Sequence, residues 1–269
     1  MFHLFFPNKF FPNLNHFTKN FIIFIARSRV QYEGIVEDVS SWGSFFNVFG
    51  VIYAIVAGFL LISVLNRYSA LNQAIEDELN AVESIRDFLV YVDEDQQDSK
   101  IALKQALMNY TKSLSIKEWK EMSDPHIPTN SDTSDELYEV MRMGKGLQVR
   151  KESDGIVLSA LMGNISEIAK LRTRRIALAN ERLPPRLRIL MLFMSVALVA
   201  GFVLLGVRGV YAHVYMSVSL SISIHLLYMV IDDLDHPFYG VWNINRAPLE
   251  ELVIRFEEEL LSAQSRRLQ

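Results

Sequence analysis

The sequence contains no cysteine, which excludes disulfide scaffolds, thiolate zinc sites and iron–sulfur clusters. It has no excess of basic residues: 27 Lys and Arg stand against 31 Asp and Glu, a formal net charge of −4. With no basic stripe either, nucleic acid is not an expected partner. Enzyme signatures are missing too. There is no phosphate-cradling Gly-rich loop, no HExxH and no G-x-S-x-G elbow. The histidines at 3, 16, 126, 213, 225 and 236 do not have metal-ligand spacing, and the protein is not expected to be an enzyme. Strand signals are poor and no internal repeat is visible.

What the chain does have is long runs without charge. Half of its residues are hydrophobic and 22% are charged, and the two classes are segregated, as in membrane proteins. A span needs about 20 apolar residues. Residues 45–65 ("FFNVFGVIYAIVAGFLLISVL"), roughly 189–207 and roughly 210–231 each meet that length. Ser40 or Ser41 is available to cap the first, and Trp42 is placed for the interface. Only Arg208 and Gly209 separate the other two, which predicts a tight transmembrane hairpin. Proline interrupts none of them, and this disfavours a transporter with a midplane site. Residues 1–40, broken by Pro7 and Pro12, can be read as an interfacial segment, a truncated transmembrane helix or upstream sequence; the second reading, a fourth span, is preferred.

Between the first two spans lie residues 67–187, predicted to be helical and aqueous. The first helix has no breaker through residue 92, and Leu71, Ile75, Leu79, Val82, Ile85 and Leu89 form one stripe at helical spacing. Further helices are expected over 99–122, 135–143 and 156–181, with a loop at 123–135 and re-entry to the membrane at "LPPR", 183–186. Residues 232–269 follow the last span as an acidic turn and an amphipathic tail. That tail starts at Pro248, with Leu249, Leu252, Val253, Phe256 and Leu260 on one face. The expected architecture is all-α: three clear membrane helices, with 1–40, 41–66, 67–187, 188–231 and 232–269 as successive regions. Arg172, Arg174, Arg175, Arg182, Arg186 and Arg188 crowd the entrance of the second span. By the positive-inside rule they place the middle region and the C-terminus in the cytoplasm of a multi-pass membrane protein.

Several residues stand out, each with more than one reading. His225, midway along the third span, is a pore-facing or proton-sensitive group, or a neutral imidazole bonded to a neighbouring helix, the commoner use. Ser217 and Ser221 share a face, suiting close helix packing or a polar pore lining. In the first span Phe45, Phe49, Ile52, Val56 and Phe59 lie near one face, with Tyr53, Leu60 and Ser63 beside it. That stripe is packing or lipid contact, or, around an axis, a hydrophobic constriction gating by dewetting. Finally, Asp232, Asp233 and Asp235 close the third helix at its negative end, where cations are favoured. Pro237 explains why the helix stops there. The carboxylates require nearby arginines, a bound cation or plain hydration, and arginines of the 172–188 group are preferred.

The segment "IDDLDHPFYG", residues 231–240, resembles the turn just past the last membrane helix of bestrophins. Residues 42–249 resemble a bacterial family of integral membrane proteins with a bestrophin-like domain. The pieces are "GVIYAIVAGF" at 50–59, "ELNAV" at 78–82, "EWKEM" at 118–122, Arg172–Arg175, "LPP" at 183–185 and "DHPFYG" at 235–240. The resemblance implies a homo-oligomer, pentameric as bestrophins are, in the lipid bilayer, passing small inorganic ions, mostly anions, along a central axis. It would place Phe49, Tyr53, Val56, Leu60 and Ser63 at the pore, and match Asp232, Asp233 and Asp235 to a calcium-binding clasp. The acidic residues that follow this turn in bestrophins are replaced here by "VWNINRAPLEEL". The alternative expectation is a non-conducting scaffold or signalling protein that binds a partner through its cytoplasmic helices.

Overall fold

The computed structural model describes residues 39–123, 134–148, 152–204, 209–238 and 240–267. The fourth span expected near the N-terminus, most of the loop expected at 123–135, and Arg208 lie outside them. Among the described residues every regular element is helical. In chain order the helices are α1 (Val39–Phe88), α2 (Gln97–Ser113), α3 (Trp119–Ser123), α4 (Asp135–Lys145), α5 (Glu152–Asn180), α6 (Pro185–Leu204), α7 (Val210–Asp235) and α8 (Ala247–Arg267). A π-helical turn, Leu114–Glu118, joins α2 to α3. Three helical stretches, Ser40–Tyr91, Asp154–Leu204 and Val210–Asp235, are long and apolar enough to cross a membrane.

Local chemistry sets most of the ends. The Ser134 hydroxyl accepts the Leu137 N–H (3.3 Å), capping α4. Pro185 opens α6, where its missing N–H costs nothing. Asn245 Oδ1 accepts the Ala247 N–H (2.9 Å) at the start of α8, one residue before the predicted Pro248. Ser40 and Ser41, the expected caps of the first span, lie inside α1, because nothing between them and the apolar run breaks the helix.

The chain divides into two compact units, Met1–Leu61 with Pro184–Val230, and Ile62–Leu183 with Ile231–Gln269. In the first unit α1 meets α6 at small residues. Gly201 faces the Phe46 ring so closely that a Cβ there would lie 1.7 Å from its Cζ. The Ser195 hydroxyl donates to the Met191 carbonyl (2.8 Å) and accepts from the Tyr53 hydroxyl (3.2 Å). Much of this unit's apolar surface remains exposed, for example Phe59 at 71% and Ile189 at 66%, as the length and hydropathy of its helices lead one to expect of membrane spans.

In the second unit the predicted stripe is the core. Leu71, Ile75, Val82, Ile85 and Leu89 are buried, and all five apolar residues predicted for one face of α8 are buried with them. One cluster joins α1, α2, α4, α5 and α8 around Leu107, Leu137, Leu161 and Phe256. A second joins Leu71, Trp119, Ala179, Phe238 and Leu249, with Trp119 and Phe238 edge to face at 5.2 Å.

Candidate functional site

The first span. Along α1 the inward face repeats every three or four residues: Tyr53, Ala57, Leu60 and Val64 are buried. Tyr53 and Leu60, expected at the pore, thus turn into the protomer. Phe49 and Val56 are half-buried and Ser63 is exposed. The opposite face carries Val48, Val51, Ile55 and Ile62, each more than half exposed. The same spacing carries this face onward through Asn66, Ser69, Gln73, Glu76 and Asn80, all exposed. One unbroken helix of 50 residues therefore bears an exposed face that changes from apolar to polar.

On α7, Ser217 is wholly buried with His213 four residues before it, whereas His225 is half-buried. The Ser221 hydroxyl donates to the Ser217 carbonyl (2.7 Å). A hydroxyl bonded back into its own helix suits close packing.

The acidic turn. The three aspartates diverge. Asp235 is fully buried and its Oδ1 accepts from Arg67 Nη1 (2.8 Å) and from the Leu183 N–H (3.0 Å). Arg67 also donates to the carbonyls of Glu181 (2.5 Å) and Asp235 (2.9 Å), and Arg182 donates to the Asp235 carbonyl. Two guanidinium groups thus meet the negative helix end and the carboxylate together, as the dipole requires. Asp233 takes the N–H groups of Val241 (3.0 Å) and Trp242 (2.8 Å). Asp232 is half exposed beside His236, whose Nδ1 contacts the Asp232 carbonyl at 2.8 Å. Two arginines thus meet Asp235, Arg67 on α1 and Arg182 of the 172–188 group, while backbone N–H groups hold Asp233. The calcium clasp does not fit: a calcium site needs six or more converging oxygens, and these carboxylates point to three separate partners. No group of three or more acidic or histidine side chains is placed to hold a metal among the described residues.

The buried charge network. Sequence reasoning missed the most heavily charged site in the second unit. Arg175, wholly buried, donates from Nε to Glu78 Oε2 (2.7 Å) and from Nη2 to Glu118 Oε2 (2.5 Å). Arg172 Nε donates to Glu118 Oε1 (2.9 Å), and the Tyr110 hydroxyl donates to Glu78 Oε1. Arg175 Nη1 reaches Met122 Sδ at 3.1 Å. Two arginines meet two glutamates with every carboxylate accepting more than one hydrogen bond, the condition under which a buried ionic cluster is tolerated. The π-helical turn ends on Glu118. Its extra residue lets Glu118 face inward while Trp119 and Met122 stay in the core. A signal existed: Glu78 occupies a stripe position between Ile75 and Val82, where an apolar residue is expected.

The network sets a pH window. Burial alone would raise the Glu118 carboxyl, but Arg175 and Arg172 outweigh it and hold the group below its ordinary range. Burial, reinforced by Glu78, pushes the Tyr110 hydroxyl well above the ordinary 10.0. A depressed carboxyl stabilises the fold above its unfolded pKa and loses that contribution as pH falls through the folded value. A raised phenol contributes below its unfolded pKa and loses the contribution as pH rises through the folded one. Thermal unfolding followed against pH should show both losses, and Tyr110→Phe should remove the alkaline one while leaving the acid one. An alkaline limb unchanged in Tyr110→Phe would show that the phenol does not set it.

Comparison with known proteins matches residues 22–249 to the bestrophin-like domain family. Solved structures of bacterial bestrophin homologues from Klebsiella pneumoniae are similar in fold. One has a TM-score of 0.69 at 17% identity over 90% of this chain and 94% of that one. Another has a TM-score of 0.68 at 17% identity over 92% and 96%, and a third 0.69 at 18% over 90% and 94%. Comparison with curated proteins gives no match. "ELNAV", "EWKEM", Arg172–Arg175 and "DHPFYG", pieces that carry the resemblance, contain Glu78, Glu118, Arg172, Arg175 and Asp235. Those residues are the buried ionic groups just described.

Proposed function

Because the chain belongs to the bestrophin-like family, we propose that it is an oligomeric membrane channel, with copies of α1 arranged around a central axis and ions passing along their exposed faces. The observation that carries the reading is the single face of α1 running from Val48, Val51, Ile55 and Ile62 to Asn66, Gln73 and Glu76. Lipid contact alone accounts for its apolar part only. An apolar neck opening into a polar vestibule accounts for both, and such a neck gates by dewetting. On this reading the lining shifts from Tyr53 and Leu60 to Ile55 and its neighbours. The polar unit lies in the cytoplasm, a pentamer being the analogous assembly.

The charge on that face also bears on selectivity. Glu76 and Asp77 bond to neutral partners, Asn72 (2.7 Å) and Gln73 (2.8 Å). The two arginines of the polar half of α1 are engaged with Asp235 and Asp87. A vestibule with uncompensated carboxylates concentrates cations, so cation flux is proposed in place of the anions implied by the resemblance. In liposomes, replacing sodium or potassium by N-methylglucamine should abolish flux, replacing chloride by gluconate should leave it, and Glu76→Gln with Asp77→Asn should reduce the preference. Flux that follows chloride instead would overturn the cation assignment and leave the channel standing; no flux in any salt would overturn the channel.

The scaffold alternative has one observation in its favour, the exposed Ile254 and Leu261 on the outer side of α8. Cutting the chain before Pro248 cannot test it, because that removes Phe256 from the core.

A further inference from the structure

We propose that the turn at residues 240–242 is a membrane-interface anchor, built to hold Val241 and Trp242 at the headgroup level of the bilayer. The apolar run of α7 ends at Ile231, and Asp233 follows two residues later, about 3 Å further along the axis at the helical rise. Asp233 accepts the N–H groups of both Val241 (3.0 Å) and Trp242 (2.8 Å). The backbone of these two residues is therefore fixed at the level where the membrane helix leaves its apolar region.

The turn is rigid. Ile244 N–H donates to the Pro237 carbonyl (2.8 Å), closing the loop, and Phe238 and Ile244 are buried on its two arms. Gly240 has φ +121°, and a Cβ there would lie 2.1 Å from Asp233 Oδ1. Only glycine lets the chain pass so close to that carboxylate. Between the buried arms the two apolar residues point outward, Val241 at 79% and Trp242 at 51% exposure. A hydrogen-bonded surface turn ordinarily presents polar side chains to water. Tryptophan with an apolar neighbour at a membrane boundary suits the interface, where the ring is half in hydrocarbon and half wet. The occupant of this surface is the bilayer, because the helix that fixes its level is itself a membrane span.

The absence of native cysteine makes the test clean. The full chain carrying Val241→Cys, labelled with a nitroxide and reconstituted in phosphatidylcholine vesicles, should collide more with oxygen than with an aqueous nickel chelate. In unlabelled protein, the emission lost on Trp242→Phe should be quenched by lipids brominated near the headgroup and little by iodide. Access to nickel and iodide would overturn the proposal by placing the turn in water. Protection from every quencher would also overturn it, by placing a second copy of the chain over the turn.

Discussion

Replacing Arg175 by methionine is expected to cost about 3–5 kcal/mol of folding stability, the usual penalty for removing one partner of a buried ionic cluster. Glu78 and Glu118 lie within 3 Å of this guanidinium and have no water to turn to. Without it, two carboxylates are left to share Arg172 and one phenol. The loss comes from the stranded charges rather than from the attraction removed, and that distinction can be measured. Exchanging the whole cluster for apolar residues (Glu78→Leu, Glu118→Leu, Arg172→Met and Arg175→Met, with Tyr110→Phe) strands nothing and should recover most of the loss. Chemical denaturation of the purified protein in detergent reads both variants. A single variant as stable as the parent would mean that the cluster is hydrated and not buried.

Arg67→Ala is expected to be nearly as severe, again about 3–5 kcal/mol, because it takes from the fully buried Asp235 carboxylate the guanidinium that donates to it. Arg67 binds three carbonyls besides that carboxylate, at Glu181, Leu234 and Asp235. It thereby ties the polar half of α1 to the segment that enters α6 and to the end of α7. The effect should be local before it is global. Hydrogen exchange should accelerate first at the amides of Leu183 and His236, which bond to Asp235 Oδ1 and to the Asp233 carbonyl. Asp235→Asn should do less harm, since an amide oxygen still accepts the Leu183 N–H. Equal exchange in Arg67→Ala and parent would show that Arg67 is dispensable to the boundary.

The parts of this architecture that depend on charge-free length and helical period were legible in the sequence. The three spans, the stripe from Leu71 to Leu89 and the buried face of α8 all follow from where apolar residues recur. The ionic groups were not, because what makes them meaningful is a partner far along the chain: Glu78 and Arg175 are 97 residues apart, Arg67 and Asp235 168. Periodicity marks Glu78 as misplaced without saying what compensates it. The facing of the first span was also hidden. Every side of that helix is apolar, so only packing against α6, through Gly201 and Ser195, decides that Tyr53 and Leu60 turn inward while Ile55 does not.

That facing is what the channel account stands on, and one measurement addresses it directly. The chain lacks cysteine, so Ile55→Cys places its only thiol on the proposed lining and Leu60→Cys places it inside the protomer. Ion flux would be followed in liposomes holding each variant as a verified oligomer, before and after a charged methanethiosulfonate reagent. The account predicts that flux through Ile55→Cys falls on modification while flux through Leu60→Cys does not. Flux that ignores modification at Ile55, or no flux from parent and variants alike, would contradict it.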